Sequence, residues 1–288
     1  MKKNKDELNP MPDETPSAAV ADPEEQAKRA KKEKRKKIIL RVLMALCLVI
    51  MAVTGYQIYE IWNRSHVIEE ETAAYKQYLE AEPAEDMPEQ VDGFTVDWAG
   101  LKAANPNITA WLIVPGTGIS FPVVQAADNS YYLNHSFDGA YNNLGAVFLD
   151  ASQNPDYNND NSIIYAHSVD IGGMFTNLRD FGNLDFFNAH PYFWLLTPED
   201  NYRCTINAFY TGADNAAVYT TSFGDFRTEV MNDVEAQATF YRPLDYTNRR
   251  FVTLSTCNLK YGLYSNQRFA VMGMMELWTD PVPKSEAN

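Results

Sequence analysis

FVTLSTC, residues 251–257, is a run of β-branched and apolar residues that ends in a cysteine. This composition is typical of a β-strand. A strand that ends in a cysteine, just before polar loop residues, can present a thiol from a rigid support. Most buried cysteines are only small hydrophobic residues. The stretch alone therefore leaves two interpretations of Cys257 open, a reactive nucleophile and a packing residue.

The same stretch belongs to a series of short apolar runs that are bounded by Gly, Pro, Asn and Asp. Eight such runs predict strands and hence a mainly β domain, either a barrel or a sandwich. One helix is expected within residues 225–240, before the last two strands, because Phe226, Val230, Val234 and Ala238 recur at every fourth position. The predicted strands are residues 110–114, 121–124, 146–149, 162–165, 192–196, 205–210, 250–254 and 269–276.

Two further residues lie where they could assist a thiol. His167 follows the apolar run at 162–165 and precedes a polar, glycine-containing loop, which makes it the best candidate for a general acid or base. Arg268 opens the last predicted strand, 11 positions after Cys257, and a turn between two antiparallel strands would bring both residues to one edge. A guanidinium there could stabilise developing negative charge. A surface histidine and an ordinary ion-paired arginine are the alternatives.

Charge and cysteine content exclude several classes of protein. From residue 42 onward the chain has 12 Lys/Arg against 30 Asp/Glu, a net charge of −18, which argues against a nucleic-acid partner. The three cysteines, Cys47, Cys204 and Cys257, form no Cys-x-x-Cys pair, and the four histidines show no metal-ligand spacing. We therefore expect no cofactor. A disulfide between Cys204 and Cys257 remains an alternative for a domain outside the cell.

Residues near the N-terminus predict a membrane anchor. The 18 residues 42–59 carry no charge, which is close to the minimum for a spanning helix. Eight basic residues in 28–37 precede this segment and acidic residues follow it, so the N-terminus is expected in the cytoplasm and the large domain outside. A cleaved signal peptide is the competing interpretation. The composition of residues 1–37 indicates a disordered tail.

Taken together, the candidate residues resemble the sortase family. TLSTC at residues 253–257 is similar to the TLxTC signature of sortases, and Arg268 lies where their essential arginine follows. NSIIYAH at 161–167 resembles the strand that carries the sortase histidine. GAVFLD at 145–150 and YLN at 132–134 resemble two other recurrent sortase stretches. The resemblance is therefore carried by several motifs in the expected order.

Two features favour class B among the sortases. The helix expected at 225–240 resembles the extra helix of that class, and so does Ser255 within TLSTC. Ala166 is a departure, since glycine is common before the histidine, but alanine is also small. The resemblance covers about residues 94–278 and implies a closed β-barrel of about eight strands with a few helices. The expected segments are a basic cytoplasmic tail at 1–37, a transmembrane anchor at 38–60, an acidic stalk at 61–92, a sortase catalytic domain at 93–281 and a C-terminal tail at 282–288.

The resemblance also implies an activity. Sortases are cysteine transpeptidases that cleave a C-terminal sorting signal of a secreted protein and join the new carboxyl end to a cell-wall amine. The expected partners are such proteins, with an Asn-Pro-x-Thr type signal, and a peptidoglycan precursor or cross-bridge amine at the membrane of a Gram-positive cell. The implied catalytic residues are Cys257, His167 and Arg268, and the expected substrate-groove residues are Asn134, Tyr165, Ser255 and Thr256.

Three rival functions stay open on the sequence. A pilus-type class C or D sortase would share the active site and differ in its substrates. A secreted cysteine peptidase would release a free acid instead of an amine adduct. A non-enzymatic membrane-tethered β-domain would hold Cys204 and Cys257 as a disulfide.

Overall fold

The structure is a computed structural model that describes residues 23–78, 95–169, 172–262 and 265–283. It divides into two compact units, Met1–Ile61 and Trp62–Asn288. The expected start of the folded domain at residue 93 lies outside the described residues, and so does most of the expected C-terminal tail.

A single helix, α1 (Pro23–Lys76), contains the predicted span. By length and composition alone, its segment Glu24–Asn63 can cross a membrane. The expectation of disorder is wrong for residues 23–37, because the helix already begins at Pro23. Lys, Arg and Glu are good helix formers, and ion pairs one turn apart add support. One such pair joins Lys28 to Glu24 at 3.1 Å.

Among its described residues, the second unit contains one sheet of nine strands: β1 Ile108–Val114, β2 Ile119–Val124, β3 Val147–Leu149, β4 Asn161–Tyr165, β5 Tyr192–Leu196, β6 Asn201–Ala213, β7 Phe240–Tyr241, β8 Phe251–Cys257 and β9 Gln267–Trp278. Their order in the sheet is β5-β1-β2-β3-β4-β8-β9-β6-β7. An additional pairing between β5 and β6 closes eight of them into a barrel, which confirms the predicted fold class. Each of the eight predicted runs contributes to one barrel strand, and β7 is a two-residue addition.

In the described part of the second unit, three short α-helices accompany the barrel: α2 (Trp98–Ala104), α3 (Leu184–Ala189) and α4 (Arg227–Gln237). Helix α4 lies before β8 and β9, as the recurrence of apolar residues at every fourth position predicts. Its buried Met231 and Val234 belong to an apolar cluster that includes Met272 of β9. The inserted helix therefore closes a small second core outside the main one.

The position of β4 beside β8 matters most for function. These strands are parallel, with Tyr165 opposite Ser255, while β8 and β9 are antiparallel, with Cys257 opposite Arg268. Buried polar side chains hold the parallel pair in register, since Thr253 Oγ1 donates to Asn161 Oδ1 at 3.0 Å. The carboxyl ends of β4 and β8 and the amino end of β9 therefore meet at one edge of the barrel.

Candidate active site

Cys257 is the last residue of β8 and is half-buried. The chain turns directly after it, where Asn258 N–H donates to Gln267 O at 2.9 Å and the Asn258 side chain caps the turn Leu259–Tyr261. Because Asn258 is itself almost fully buried, this turn gives the thiol a rigid support. The Cys257 thiol is free.

The disulfide alternative is wrong. Cys204 lies opposite Met275 in the β6–β9 pairing, whereas Cys257 lies opposite Arg268 at the other end of β9. Seven residues along a strand span roughly 23 Å, and a disulfide needs Cα atoms within about 7 Å. Burial raises the pKa of the Cys204 thiol, so this cysteine is an inert core residue.

His167 lies two residues beyond the end of β4, beside the end of β8. Its Nε2 is 2.8 Å from the carbonyl oxygen of Leu133. A carbonyl oxygen can only accept, so Nε2 carries the hydrogen and donates it. This leaves Nδ1 to exchange a proton with a bound substrate.

Arg268 is the second residue of β9 and lies directly opposite Cys257. Side chains of directly opposed residues lie on one face of a sheet, about 5 Å apart at Cβ. The guanidinium donates to Ser265 O at 2.7 Å, to Gln267 O at 3.1 Å and to Asp214 Oδ2 at 3.1 Å. The side chain is therefore held beside the thiol by acceptors from two segments.

One cavity of about 350 Å³ joins these three residues. Of the groove residues expected from the sequence, Tyr165, Ser255 and Thr256 line it, but Asn134 does not. Asn134 is exposed and ends the short turn Tyr131–Leu133, so its neighbour Leu133 faces the cavity instead. The complete lining is Asn129, Leu133, Phe148, Tyr165, Ala166, His167, Asp214, Tyr219, Ser255, Thr256, Cys257 and Arg268.

A hydrogen-bonded group forms the wall of the cavity around Tyr165. Burial acts to raise the pKa of Asp150, but hydrogen bonds from Ser152 and Asn129 outweigh it and hold that pKa below its usual value. Burial, reinforced by the negative charge of Asp150, raises the pKa of Tyr165. Tyr165 is therefore a neutral phenol at any physiological pH. Asn129 donates to Asp150 Oδ2 at 2.8 Å, which fixes its amide at the cavity rim.

Sequence reasoning missed Asn129, Leu133, Asp214 and Tyr219. Leu133 was adjacent to a predicted residue. Asp214 and Tyr219 follow β6, in a loop without a recognisable motif, and only the pairing of β6 with β9 brings them to the site. No local pattern could have identified them.

The hydroxyl groups of Tyr219 and Ser255 form a hydrogen bond, with 2.9 Å between the two oxygens. We expect Tyr219→Phe to reduce the free energy of unfolding by about 1–2 kcal/mol, because it leaves the buried Ser255 hydroxyl without this partner. Tyr219→Phe combined with Ser255→Ala should recover part of the loss, since both polar groups are then gone. Denaturant titration of the three variants measures this. A double variant as unstable as the sum of the single ones would contradict it.

Within the described ranges, no three His, Cys, Asp or Glu side chains lie close enough together to hold a metal ion. The site chemistry consists of a thiol, an imidazole with one nitrogen available and an oriented guanidinium. This set can perform acyl transfer through a thioester. A free thiol at a barrel edge, beside a histidine and an arginine, defines a class of cysteine acyltransferase.

Comparison with known proteins identifies the family. The sortase domain model matches residues 112–276, and the chain belongs to the sortase family of cysteine transpeptidases. Sortase B of Listeria monocytogenes is 27% identical over 226 residues, which cover 77% of this chain and 88% of that protein. Sortase B of Staphylococcus aureus is 26% identical over 236 residues, covering 77% and 91%.

Solved structures agree with this assignment. A class B sortase of Streptococcus pyogenes, described as involved in pilus biogenesis, is 33% identical with a TM-score of 0.57 and covers 63% of this chain and 98% of that one. Sortase B of Clostridium perfringens is 30% identical with a TM-score of 0.57, covering 62% and 98%. Sortase B of Bacillus anthracis shares the fold at a TM-score of 0.62 and 24% identity, covering 75% and 98%. The chain is a class B sortase, as the inserted helix predicts.

Proposed function

We propose that this sortase anchors secreted proteins by cleaving an Asn-Pro-x-Thr type sorting signal and joining its Thr carboxyl group to a cell-wall amine. The proposal rests on one observation: Cys257, His167 and Arg268 line the same cavity in a sortase barrel. Peptidoglycan, or its precursor, supplies the amine in this proposal.

The reaction proceeds in two acyl transfers. The Cys257 thiolate attacks the Thr carbonyl carbon, and Arg268 donates hydrogen bonds to the oxyanion. The C–N bond then breaks, and the leaving amine takes a proton from His167 imidazolium. The incoming amine attacks the thioester, gives its proton back to His167 and releases the thiolate. Protons and acyl groups balance over the cycle.

The substrate groove extends from these residues along the cavity. Tyr165 and Ser255 supply hydroxyl groups to the signal peptide in this proposal. Thr256 has an indirect role in this proposal. Its Oγ1 donates to Ala166 O at 2.8 Å and so fixes the residue before His167. Asn134 does not line the cavity, so in this proposal it contacts only a part of the peptide that extends beyond the cavity.

Helix α1 anchors the enzyme in the cytoplasmic membrane in this proposal, with the N-terminus inside and the catalytic domain outside. Its length and composition support spanning, and the basic residues before the span support the orientation. Both substrates, a membrane-retained precursor protein and a lipid-linked wall precursor, would be confined to the same surface. Tethering raises their effective concentration around the enzyme.

Pilus assembly is the second candidate function. It is favoured by the 33% identity to the Streptococcus pyogenes class B sortase that is described as involved in pilus biogenesis. In that case the accepting amine belongs to a second protein subunit. The two candidates share every catalytic step and differ only in the acceptor.

The test is a product assay with the full chain in detergent. Asn-Pro-x-Thr peptides are incubated without an amine, with oligoglycine or a diamino acid, or with a lysine-containing protein acceptor, and product masses are read. We expect an amine adduct at the Thr carboxyl group. An adduct only with the protein acceptor would favour pilus assembly. Free acid in every arm would identify a peptidase, and intact peptides would reject the proposed signal.

A further inference from the structure

The Arg268 guanidinium donates three hydrogen bonds, and one of the three acceptors is a charged side chain. Two go to the backbone oxygens of Ser265 and Gln267, and the third goes to Asp214 Oδ2 at 3.1 Å. Hydrogen bonds between charged groups are stronger and more directional than neutral ones. These bonds use three of the five guanidinium N–H groups, so within the described ranges two remain to face a substrate.

The barrel fixes Asp214 where this contact requires it. Asp214 follows β6 directly, and its N–H donates to Asn266 O at 3.0 Å, which continues the β6–β9 pairing. Tyr210 Oη donates to Ala213 O at 3.0 Å, just before the aspartate. Gly212 leaves room for this tyrosine, since a Cβ there would lie 2.2 Å from Tyr210 Oη. The carboxylate is thus presented by an ordered backbone.

Stability does not explain this ion pair. The Asp214 side chain is 44% exposed and that of Arg268 is 23% exposed. Ion pairs so close to solvent contribute little to the free energy of unfolding. Asp214 nevertheless lines the cavity together with Cys257 and His167. Its position therefore points to a role in the reaction.

We propose that Asp214 is a positioning residue that orients the Arg268 guanidinium toward the oxyanion of the sortase reaction. This inference rests on the proposed role of Arg268. A long arginine side chain loses rotational freedom when it must point in one direction, and the carboxylate imposes that direction before substrate binds. An oriented guanidinium stabilises the substrate most when negative charge develops on its carbonyl oxygen. The contact with Asp214 therefore lowers the free energy of the transition state more than that of the bound substrate.

The first test measures turnover by the full chain in detergent. We expect Asp214→Ala to lower kcat by about 10- to 100-fold with KM changed by less than about twofold, because a misdirected catalytic group costs rate more than affinity. Asp214→Asn keeps one acceptor oxygen and should lie between Asp214→Ala and wild type. The melting temperature should fall by no more than about 3 °C.

Glu276→Gln is the matched control. Glu276 lies on the same strand β9, far from the cavity, and is 3.7 Å from Arg203 with similar exposure. This variant should keep the wild-type kcat. An equal loss of kcat in Glu276→Gln and Asp214→Ala would overturn the inference, since a general loss of β9 ion pairing would then explain both.

A double-variant cycle tests whether Asp214 acts through Arg268. Single-turnover formation of the thioacyl-enzyme is followed by mass for Arg268→Ala, for Asp214→Ala and for both together. We expect Asp214→Ala to change the rate by less than about twofold once Arg268 is absent. A full 10- to 100-fold loss in that background would overturn the inference.

A third measurement does not depend on turnover. In wild type the ¹⁵N side-chain signal of Arg268, assigned by its loss in Arg268→Lys, should show hindered rotation of the guanidinium, and Asp214→Ala should reduce the hindrance. Identical rotation in both proteins would overturn the inference even if wild type processes no peptide. Hindered rotation together with inactive wild type would instead reject the proposed sorting signal and leave the positioning contact established.

Discussion

Cys257→Ala is expected to abolish transpeptidation, lowering the rate of product formation by a factor on the order of 10⁴ or more. The thiol is the group that forms the thioester, and neither His167 nor Arg268 can replace it as a nucleophile. Peptide binding should persist, because every other residue that lines the cavity is unchanged. The measurement is the mass of product and of any thioacyl-enzyme after incubation with sorting peptide and amine.

Cys204→Ala is the control for this experiment. Cys204 is fully buried in the barrel core, so its loss should cost about 1 kcal/mol of stability and leave the activity near wild type. If Cys257→Ala still forms adducts, or if Cys204→Ala is equally inactive, Cys257 is not the nucleophile.

Gly145→Ala is expected to reduce the free energy of unfolding by about 2–4 kcal/mol and to reduce activity as well. Gly145 has a φ of +64°, and a Cβ there would lie 2.4 Å from Tyr132 O and 2.9 Å from Leu133 O. Both neighbours are backbone atoms and cannot rotate away. Leu133 O is also the acceptor of the His167 hydrogen bond, so a displaced backbone would disturb the imidazole.

Thermal unfolding and steady-state kinetics below the melting temperature measure these two effects. At about 2–4 °C for each kcal/mol, the melting temperature should fall by roughly 5–15 °C. Gly118→Ala is the matched control, because Gly118 has a similar φ of +72° with no atom within 4 Å of the added Cβ. Gly118→Ala should reduce the free energy of unfolding by only about 1 kcal/mol, because it adds backbone strain without a steric clash. This variant should keep full activity. Equal losses in both variants would contradict the steric explanation.

The strands were predictable because their apolar runs are local features. The run at 205–210, however, belongs to a strand that extends over Asn201–Ala213. Its polar ends pair with β9, and its first residues pair also with β5. Ladder hydrogen bonds therefore lengthen the strand beyond the part that hydrophobicity marks.

The candidate site was predictable to a different extent for each residue. Cys257 and Arg268 are only 11 positions apart in the sequence and were predicted at the adjoining ends of two antiparallel strands, so their spacing already indicates that they meet. Asn134 does not line the cavity, whereas its neighbour Leu133 at the end of the turn Tyr131–Leu133 does, and the role of Asn134 in the groove stays a prediction. Asp214 could not be predicted as a site residue, since 54 residues separate it from the arginine that it binds.

The sequence by itself determined the strands, the inserted helix, the apolar segment and the three residues proposed for catalysis, because each depends on composition or spacing within a short segment. Only the tertiary structure decided that the barrel closes through β5 and β6, that Leu133 sets the tautomer of His167 and that Asp214 holds Arg268. These features are contacts between distant parts of the chain. Their geometry arises when the whole barrel packs, and no local pattern of residues encodes it.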